Sequence, residues 1–328
     1  MSAPVHVVLG GNGVVGRETL RALREHDVAA VSVGRRPAAT ATATATAADN
    51  ESAEAKAKAK AKADHVIADL LDPTAVRRAL HGADVAYLVA GLPYSSTIWA
   101  DEWPRIIDNT VEAALAEGTH LVYLDNVYAY GRVTGPMTED TPINPSGRKG
   151  AVRAAALERL RVASDRGLAV TIGRSADFTG PGATTSVFNG FVLDRITAGK
   201  RPTWLLDADQ PHSLTATTDI GDALVVLGTD ERAKGRTWHL PTAPALTGRQ
   251  YVELAGVPAA RTAVMSSATL RFGALFNASA RETLELRYQY TEPYVFDSSA
   301  FERTFGLHPT PTADVVAAAL LHAGSVVR

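Results

Sequence analysis

Val5-His6-Val7-Val8-Leu9-Gly10-Gly11-Asn12-Gly13-Val14-Val15-Gly16 is the stretch that decides the fold of this 328-residue chain. The apolar run before the first glycine predicts a buried strand, and the spacing of apolar residues after Arg17 predicts a helix. Glycines between them allow a tight turn and a close approach of a pyrophosphate, which the free N–H groups of the following helix attract. We therefore predict a dinucleotide-binding loop, against the alternative of a glycine-rich turn without a ligand; its members are Gly10, Gly11, Asn12, Gly13, Val14, Val15 and Gly16.

The chain after this loop alternates predicted strands and helices as far as residue 187. Such alternation predicts an α/β fold of the Rossmann type, a doubly wound parallel sheet with a smaller C-terminal substrate lobe. We place the dinucleotide-binding domain at residues 1–187 and most of the substrate lobe at 188–328, with some segments of the latter returning to the first domain. Residues 38–63 are rich in alternating Ala/Thr and Ala/Lys and indicate a low-complexity insertion without an apolar face.

The end of the second predicted strand bears on the choice of cofactor. It reads Ser32-Val33-Gly34-Arg35-Arg36-Pro37 and contains no acid. A carboxylate at this place holds the ribose 2′-hydroxyl of NAD, whereas arginine accommodates the 2′-phosphate of NADP. Arg35 and Arg36 therefore favour NADP(H), unless they belong merely to a solvated loop.

Composition restricts the class of protein further. The formal net charge is −2, which gives no electrostatic reason to expect nucleic acid or an anionic membrane as a partner. There is no cysteine, and the nine histidines form no ligand-like cluster, so we expect no metal. No apolar run is long enough for a bilayer, and we expect a cytoplasmic enzyme, monomeric or homodimeric, that acts on a small molecule.

The Gly10-x-x-Gly13-x-x-Gly16 spacing resembles the short-chain dehydrogenase/reductase family, in particular its extended epimerase/dehydratase branch. Further segments resemble that branch: Ala68-Asp69-Leu70, Tyr130-Gly131, Arg174 followed by Gly180-Pro181-Gly182, and Thr218-Asp219-Ile220. The resemblance implies that Asp69 and Leu70 lie at the adenine, and that the small residues Ala90 and Gly91 at a strand end lie against the cofactor.

The residues that usually carry the chemistry of this branch are replaced here. The resemblance implies a Ser/Thr, a Tyr and a Lys four residues after the Tyr, yet none of the seven lysines has a tyrosine four residues before it. Aligned by spacing, these positions hold Asn126, Lys149 and Arg153. We expect Asn126 to donate a hydrogen bond, Lys149 to supply a proton and Arg153 to hold the nicotinamide ribose, with Tyr128 as an alternative proton donor. The alternative for Lys149 and Arg153 is a solvated helix face.

Candidate substrate residues are mostly aromatic: Tyr94, Tyr130, Phe178, His212 and Tyr288. They favour a small, partly apolar carbonyl or hydroxyl compound. Three functions remain open: an NADP(H)-dependent oxidoreductase with a non-standard acid/base, a non-redox lyase, cyclase or isomerase on the same fold, and a catalytically silent NADP-binding regulator.

Overall fold

The computed structural model describes residues 4–37 and 65–326, so the predicted insertion at 38–63 lies outside the described residues. Seven strands form one sheet in which every neighbouring pair is parallel. Its order is β11-β6-β5-β4-β1-β2-β3, and the strands are β1 (His6–Leu9), β2 (Ala30–Gly34), β3 (His65–Ile67), β4 (Val85–Leu88), β5 (His120–Asn126), β6 (Val170–Ser175) and β11 (Thr237–His239). The prediction of a parallel, doubly wound sheet is confirmed.

Helices cover both faces of this sheet. One face is covered by α1 (Val14–Glu25) and α6 (Thr217–Thr229), which pack against each other. The other face is covered by α2 (Pro73–Leu80), α3 (Ser96–Glu117) and α4 (Arg148–Asp165). Each face buries its own apolar cluster, because the strands of a parallel sheet expose side chains to both sides and each side must be shielded from water.

The C-terminal part contributes to the sheet and also builds a separate layer. β11 extends the sheet beside β6, and α11 (Ser299–Phe305) packs on β11. The strands and α-helices not yet named all follow β6 in the chain, and an apolar cluster around Phe188, Trp204 and Tyr251 packs some of them together. These are β7 (Asp177–Thr179), α5 (Asp194–Thr197), β8 (Thr203–Leu205), β9 (Pro211–His212), β10 (Leu214–Ala216), β12 (Leu246–Thr247), α7 (Gly248–Leu254), β13 (Ala263–Met265), α8 (Ser267–Ala274), α9 (Ala278–Glu285), α10 (Tyr288–Thr291) and α12 (Thr312–Val326).

Helix α3 begins two turns earlier than the sequence predicts. We expect a start at Trp103, next to Pro104, because proline favours the first helical position. In the structure the helix begins at Ser96, and Ser95 caps it by accepting a hydrogen bond from the N–H of Ile98 at 3.4 Å. A second cap comes from far along the chain, since the Glu282 carboxylate accepts from the Ser96 N–H at 2.9 Å. This tertiary contact is not visible in the local sequence.

The described part of the chain contains neither a membrane-spanning helix nor a cluster of metal ligands. Within residues 4–37 and 65–326, no helix has both the length and the hydropathy needed to span a bilayer. The same residues contain no group of three or more His, Asp or Glu side chains arranged to hold a metal ion.

Two buried histidines make the stability of the fold depend on pH. Burial lowers the pKa of His120 to about 4 and that of His239 to about 3. Between these values and the ordinary pKa near 6.5, the unfolded chain binds more protons than the folded chain, so stability is present above about pH 6.5 and is lost as the pH falls. At pH 5 each histidine lowers the free energy of unfolding by about 2 kcal/mol relative to neutral pH.

We predict that chemical denaturation of His120→Leu will show a smaller loss of stability between pH 7.5 and pH 5 than the wild-type protein, by about 2 kcal/mol. The variant lacks a group that must stay neutral in the fold, even though the substitution itself changes stability at both pH values. His26→Gln, at the exposed end of α1, is the control and should keep the wild-type difference. Equal pH dependence in His120→Leu and wild type would contradict the assignment.

Candidate functional site

The glycine loop lies between the carboxyl ends of β1 and β4, where the order of the sheet reverses direction. Gly10 has φ +100°, and a Cβ there would lie 2.6 Å from the Cα of Ala90. A Cβ on Gly16 would lie 2.2 Å from the carbonyl oxygen of Gly10. Only glycine fits at these two positions, because the loop, the start of α1 and the end of β4 meet without space between their backbones. Open α/β sheets bind ligands at this crevice.

Helix α1 begins directly at this loop and points its first turn at the crevice. Gly13 is its N-cap residue and is exposed, and no side chain caps the N–H groups of the first turn. These groups have no partner within the helix. The open N–H groups together with the helix dipole form a place for an anion such as a pyrophosphate. Arg17 adds a positive charge beside it, donating to the Asn12 carbonyl at 2.8 Å.

The loop after β2 is held by two side chains. Asn12 Nδ2 donates to the carbonyl of Arg36 at 2.8 Å, and His65 Nε2 lies 2.7 Å from the same oxygen. Arg35 and Arg36 are both exposed, and among the described residues neither guanidinium has an acidic partner. Two exposed cations therefore lie at the end of β2.

The predicted adenine residues lie at the end of the next strand. Asp69 is exposed and accepts a hydrogen bond from the N–H of Leu71 at 3.0 Å, which fixes the turn after β3. Leu70 is buried, and its carbonyl accepts from Asn109 Nδ2 at 2.9 Å. Gly91 follows Ala90 and is exposed. Ala90 lies against the loop at Gly10, and the roles of Asp69, Leu70 and Gly91 at the cofactor stay predictions.

Lys149 is buried in a cluster of opposite charges. Its side chain has no exposed surface, and its Nζ lies 2.5 Å from the Glu282 carboxylate and 3.2 Å from the Glu285 carboxylate. Glu285 also accepts from the backbone N–H of Lys149 at 2.7 Å, which caps the start of α4. Burial would raise the pKa of Glu282, but hydrogen bonds from Lys149 and Ser96 outweigh burial and lower it. The possibility of a solvated helix face is excluded, and the ammonium faces α9.

Arg153 lies one turn further along α4 in an aromatic cage. The centre of its guanidinium is 4.2 Å from the ring of Trp103 and 4.8 Å from the ring of Trp99. NH1 donates to the Tyr123 hydroxyl and lies 3.8 Å from the Asp125 carboxylate, while Nε is buried without a hydrogen-bond partner. Lys149 and Arg153 therefore lie in separate clusters, the ammonium among carboxylates and the guanidinium among aromatic rings. Arg153 is longer than lysine and reaches past the surface of α4 into the interior.

Two tyrosines lie together at the end of β5. Asn126 Oδ1 accepts from the backbone N–H of Tyr128 at 3.0 Å, which fixes the turn that carries this tyrosine. Tyr128 stacks on Trp99 with ring centroids 6.1 Å apart, and Tyr94 packs edge-on against the same tryptophan at 6.0 Å. Burial, followed by neighbouring negative charge and phenols, raises the pKa of both hydroxyls above the ordinary value near 10. Both groups therefore remain protonated at neutral pH.

Asp177 is the charged centre of a second aromatic cluster beside this pair. It follows β6, the neighbour of β5 in the sheet, and its Oδ2 accepts from Tyr290 at 3.0 Å and lies 3.1 Å from His212 Nε2. The His212 ring is stacked between Tyr290 and Tyr294, with centroids 4.9 Å and 4.4 Å away. Asp177 thus connects His212 to the end of β6, next to the strand that leads to Tyr128.

The other predicted substrate residues lie elsewhere. Tyr130 is buried, with its hydroxyl donating to the Thr138 carbonyl and lying 2.7 Å from His239 Nε2. Phe178 packs against the apolar cluster beneath α1 and α6, because it is next to Asp177 in a strand and points to the opposite side. Tyr288 lines a small cavity with Val127, Met137 and Tyr294. Tyr130 and Phe178 therefore do not join the tyrosine pair.

The profile of the NAD dependent epimerase/dehydratase family matches residues 6–240. The chain belongs to this family. That membership confirms the resemblance inferred from the sequence, and with it the expectation of an epimerase/dehydratase-like enzyme. Among curated proteins none matches the chain.

Solved structures of low sequence identity share the whole fold. A nucleoside-diphosphate-sugar epimerase from Pseudomonas aeruginosa is 21% identical, with a TM-score of 0.72 over 98% of this chain and 97% of that one. A dTDP-glucose 4,6-dehydratase from Streptomyces venezuelae is 19% identical, with a TM-score of 0.73 over 97% and 96%. A UDP-glucuronic acid 4-epimerase from Bacillus cereus is 13% identical, with a TM-score of 0.74 over 99% and 100%. At these identities the similarity concerns the fold.

Several residues of the site were missed by sequence reasoning. Asp177, Glu282 and Glu285 lie far from Lys149 and Tyr128 in the chain, and an isolated acid carries no signal of its partner. Trp99 and Trp103 are spaced four apart, which places them on one face of a helix and was the available signal for the cage around Arg153. The Tyr290 and Tyr294 pair has the same spacing but lies outside any long helix.

We predict that Lys149→Met lowers the free energy of unfolding by about 2 kcal/mol, because two partly buried carboxylates lose the ammonium between them. Lys234→Met is the control, since that lysine forms a more exposed pair with Glu231 and should change stability by less than about 1 kcal/mol. Urea denaturation measures both. If Lys149→Met is as stable as the control variant, the cluster does not hold α9 in place.

Proposed function

We propose that this protein is an NADP(H)-dependent oxidoreductase that acts on a small, partly apolar carbonyl or hydroxyl compound. The observation that carries the proposal is the loop at the reversal of the sheet, where Gly10 and Gly16 allow close backbone contact and α1 points uncapped N–H groups outward. The residues present fit a dinucleotide: the first turn of α1 would hold the pyrophosphate, and Asp69 lies where an adenine amino group would find an acceptor.

The preference for NADP(H) rests on charge at the end of β2. The neighbouring structures from Streptomyces venezuelae and Bacillus cereus contain NAD. In this chain no described acid is available to hold a ribose 2′-hydroxyl at this strand end, and Arg35 and Arg36 are exposed there without acidic partners. A 2′-phosphate would satisfy both guanidinium groups with charge-assisted hydrogen bonds.

Proton transfer is assigned to the phenols at the end of β5. When bound, NADPH would supply a hydride, and the oxygen of the reduced carbonyl would then need a proton donor within hydrogen-bond reach. Tyr128 is held by the Asn126 turn and packs with Tyr94 on Trp99, so its hydroxyl would give this proton and take one back from water once the product leaves. A raised pKa suits the role of acid, because such a phenol stays protonated until an alkoxide forms beside it.

The two basic residues of α4 are assigned positioning roles. Lys149 lies 4.5 Å from the centre of the Tyr94 ring and holds that ring beneath α9. Arg153 links Tyr123 and Asp125 of β5 to the tryptophans of α3, which fixes the strand that ends in Asn126. A ribose contact by Arg153, as the family resemblance implies, would require the guanidinium to leave this cage.

A second candidate function is supported by the family. Structural neighbours include nucleotide-sugar epimerases and a dehydratase, and such a function would use the same site without net consumption of a nicotinamide cofactor. A silent NADP-binding regulator would bind the cofactor and form no product. The test is to incubate the protein with NADPH and a panel of aldehydes and ketones, following cofactor absorbance and product separately. Product without net cofactor oxidation supports the second candidate over the first.

We predict that Arg35→Ala combined with Arg36→Ala weakens NADPH binding by about tenfold or more while NADH affinity changes by less than about threefold, because only NADPH carries the 2′-phosphate. Calorimetry measures both affinities. Arg161→Ala, on the exposed far end of α4, is the matched control and should leave both unchanged. Equal losses for the two cofactors would contradict the preference for NADP(H).

We predict that Tyr128→Phe lowers kcat by about 100-fold at unchanged NADPH affinity, since it removes the hydroxyl that protonates the product and keeps the ring on Trp99. The assay uses a carbonyl that the wild-type protein reduces. Lys149→Met should lower kcat much less, because its role is to hold Tyr94. If both variants retain wild-type rates with cofactor bound, neither residue takes part in the mechanism.

A further inference from the structure

Asp177 is a half-buried carboxylate that neither the glycine loop nor the tyrosine pair requires. It begins β7, directly after the end of β6. Its Oδ2 accepts a hydrogen bond from Tyr290 at 3.0 Å, and its negative charge adds to burial in raising the pKa of Tyr128 and of Tyr290. Its side chain retains 22% of its exposed surface in this aromatic surrounding.

The two oxygens of this carboxylate have different surroundings. Oδ2 receives two donors, the Tyr290 hydroxyl at 3.0 Å and His212 Nε2 at 3.1 Å. The backbone N–H of Asp177 donates to the Tyr294 hydroxyl at 3.1 Å, which fixes the direction of the side chain. No donor to Oδ1 is found among the described residues. Oδ2 is therefore held by two donors, and Oδ1 can accept a hydrogen bond from a bound molecule.

His212 lies between two acceptors. Its Nδ1 lies 3.1 Å from the carbonyl oxygen of Gln289 and its Nε2 lies 3.1 Å from Asp177 Oδ2, so both ring nitrogens face acceptors. The ring is stacked between Tyr290 and Tyr294, which fixes the nitrogen that faces the carboxylate.

We infer that Asp177 selects the substrate by accepting, at Oδ1, a hydrogen bond from a hydroxyl or ammonium group, and that a carboxylate or phosphate group is rejected at this position. The inference rests on the proposed function, since it names the substrate class of the same site. An anionic oxygen has no proton to donate, so it would place its lone pairs against those of Oδ1 and leave both unpaired.

Two basic residues of the surrounding elements already have acidic partners. Lys149 is enclosed by Glu282 and Glu285, and Arg132 lies 3.2 Å from the Glu292 carboxylate. A nucleoside diphosphate, of the kind that the Streptomyces and Bacillus structures bind, would therefore meet Asp177 without a free cation from either of these two side chains. The site instead suits a neutral or cationic group carried on a ring that stacks on the tyrosines.

The test uses three probes that share one ring and differ in the head group: benzylamine, benzyl alcohol and benzoate. Their affinities for the full-length protein are measured by calorimetry, with and without NADPH. We expect benzylamine to bind about tenfold or more tighter than benzoate, with benzyl alcohol between them. In Asp177→Asn the ratio of benzylamine to benzoate affinity should fall to within about threefold, whereas Asp108→Asn, a surface control, should keep it.

A second variant separates loss of the carboxylate from loss of structure. Tyr290→Phe removes one donor to Oδ2 and keeps the carboxylate, so it should retain the preference for the amine. The inference is overturned if benzoate or UDP-glucose binds tighter than benzylamine, if Asp177→Asn keeps the wild-type ratio, or if none of the three probes binds. NADPH affinity, measured in the same titrations, tests the proposed function separately: the amine preference without NADPH binding would support the inference and refute the proposed cofactor.

Discussion

The close contact between the glycine loop and the end of β4 is the constraint on which the site depends. A side chain at Gly10 would overlap the backbone of Ala90, and one at Gly16 would overlap the loop itself. Because these contacts fix the loop, α1 must leave the sheet at the reversal of strand order, with its N-terminus at the crevice. The parallel sheet arranges three features around that crevice: the anion site at α1, the two arginines after β2, and Tyr128 after β5.

The sequence was sufficient for the parts of this arrangement that are local. The strand, glycine turn and helix at residues 5–25 have a period and spacing that do not depend on distant residues, and the family and fold follow from them. The start of α3 could not be predicted, because the cap from Glu282 lies 186 residues away in the sequence. The same holds for Lys149, whose burial depends on two acids of α9.

Lys149 and Arg153 of α4 illustrate that the spacing of two residues in a sequence does not determine which groups surround their side chains. Spacing places Lys149 and Arg153 on one face of a helix, and the structure agrees with that. Their side chains diverge because each charge needs its own compensation when water is removed: carboxylates for the ammonium, and aromatic faces with Asp125 for the guanidinium. A compact ammonium and a planar guanidinium are stabilised by different neighbouring groups, so the two side chains lie in different clusters.

The carboxylates that neutralise Lys149 also connect α9 to the candidate site. Glu282 and Glu285 cap the starts of α3 and α4 while they enclose Lys149, so α9 is held over the face that carries Tyr94. Lys149, at the position where the family resemblance implies a tyrosine, therefore has a structural counterpart in α9, and we propose that proton transfer uses groups at the ends of β5 and β6 instead. Tyr128 and Asp177 follow these two neighbouring strands and provide a phenol as donor and a carboxylate as acceptor. A hydroxyl compound that donates to Asp177 and accepts from Tyr128 would use both.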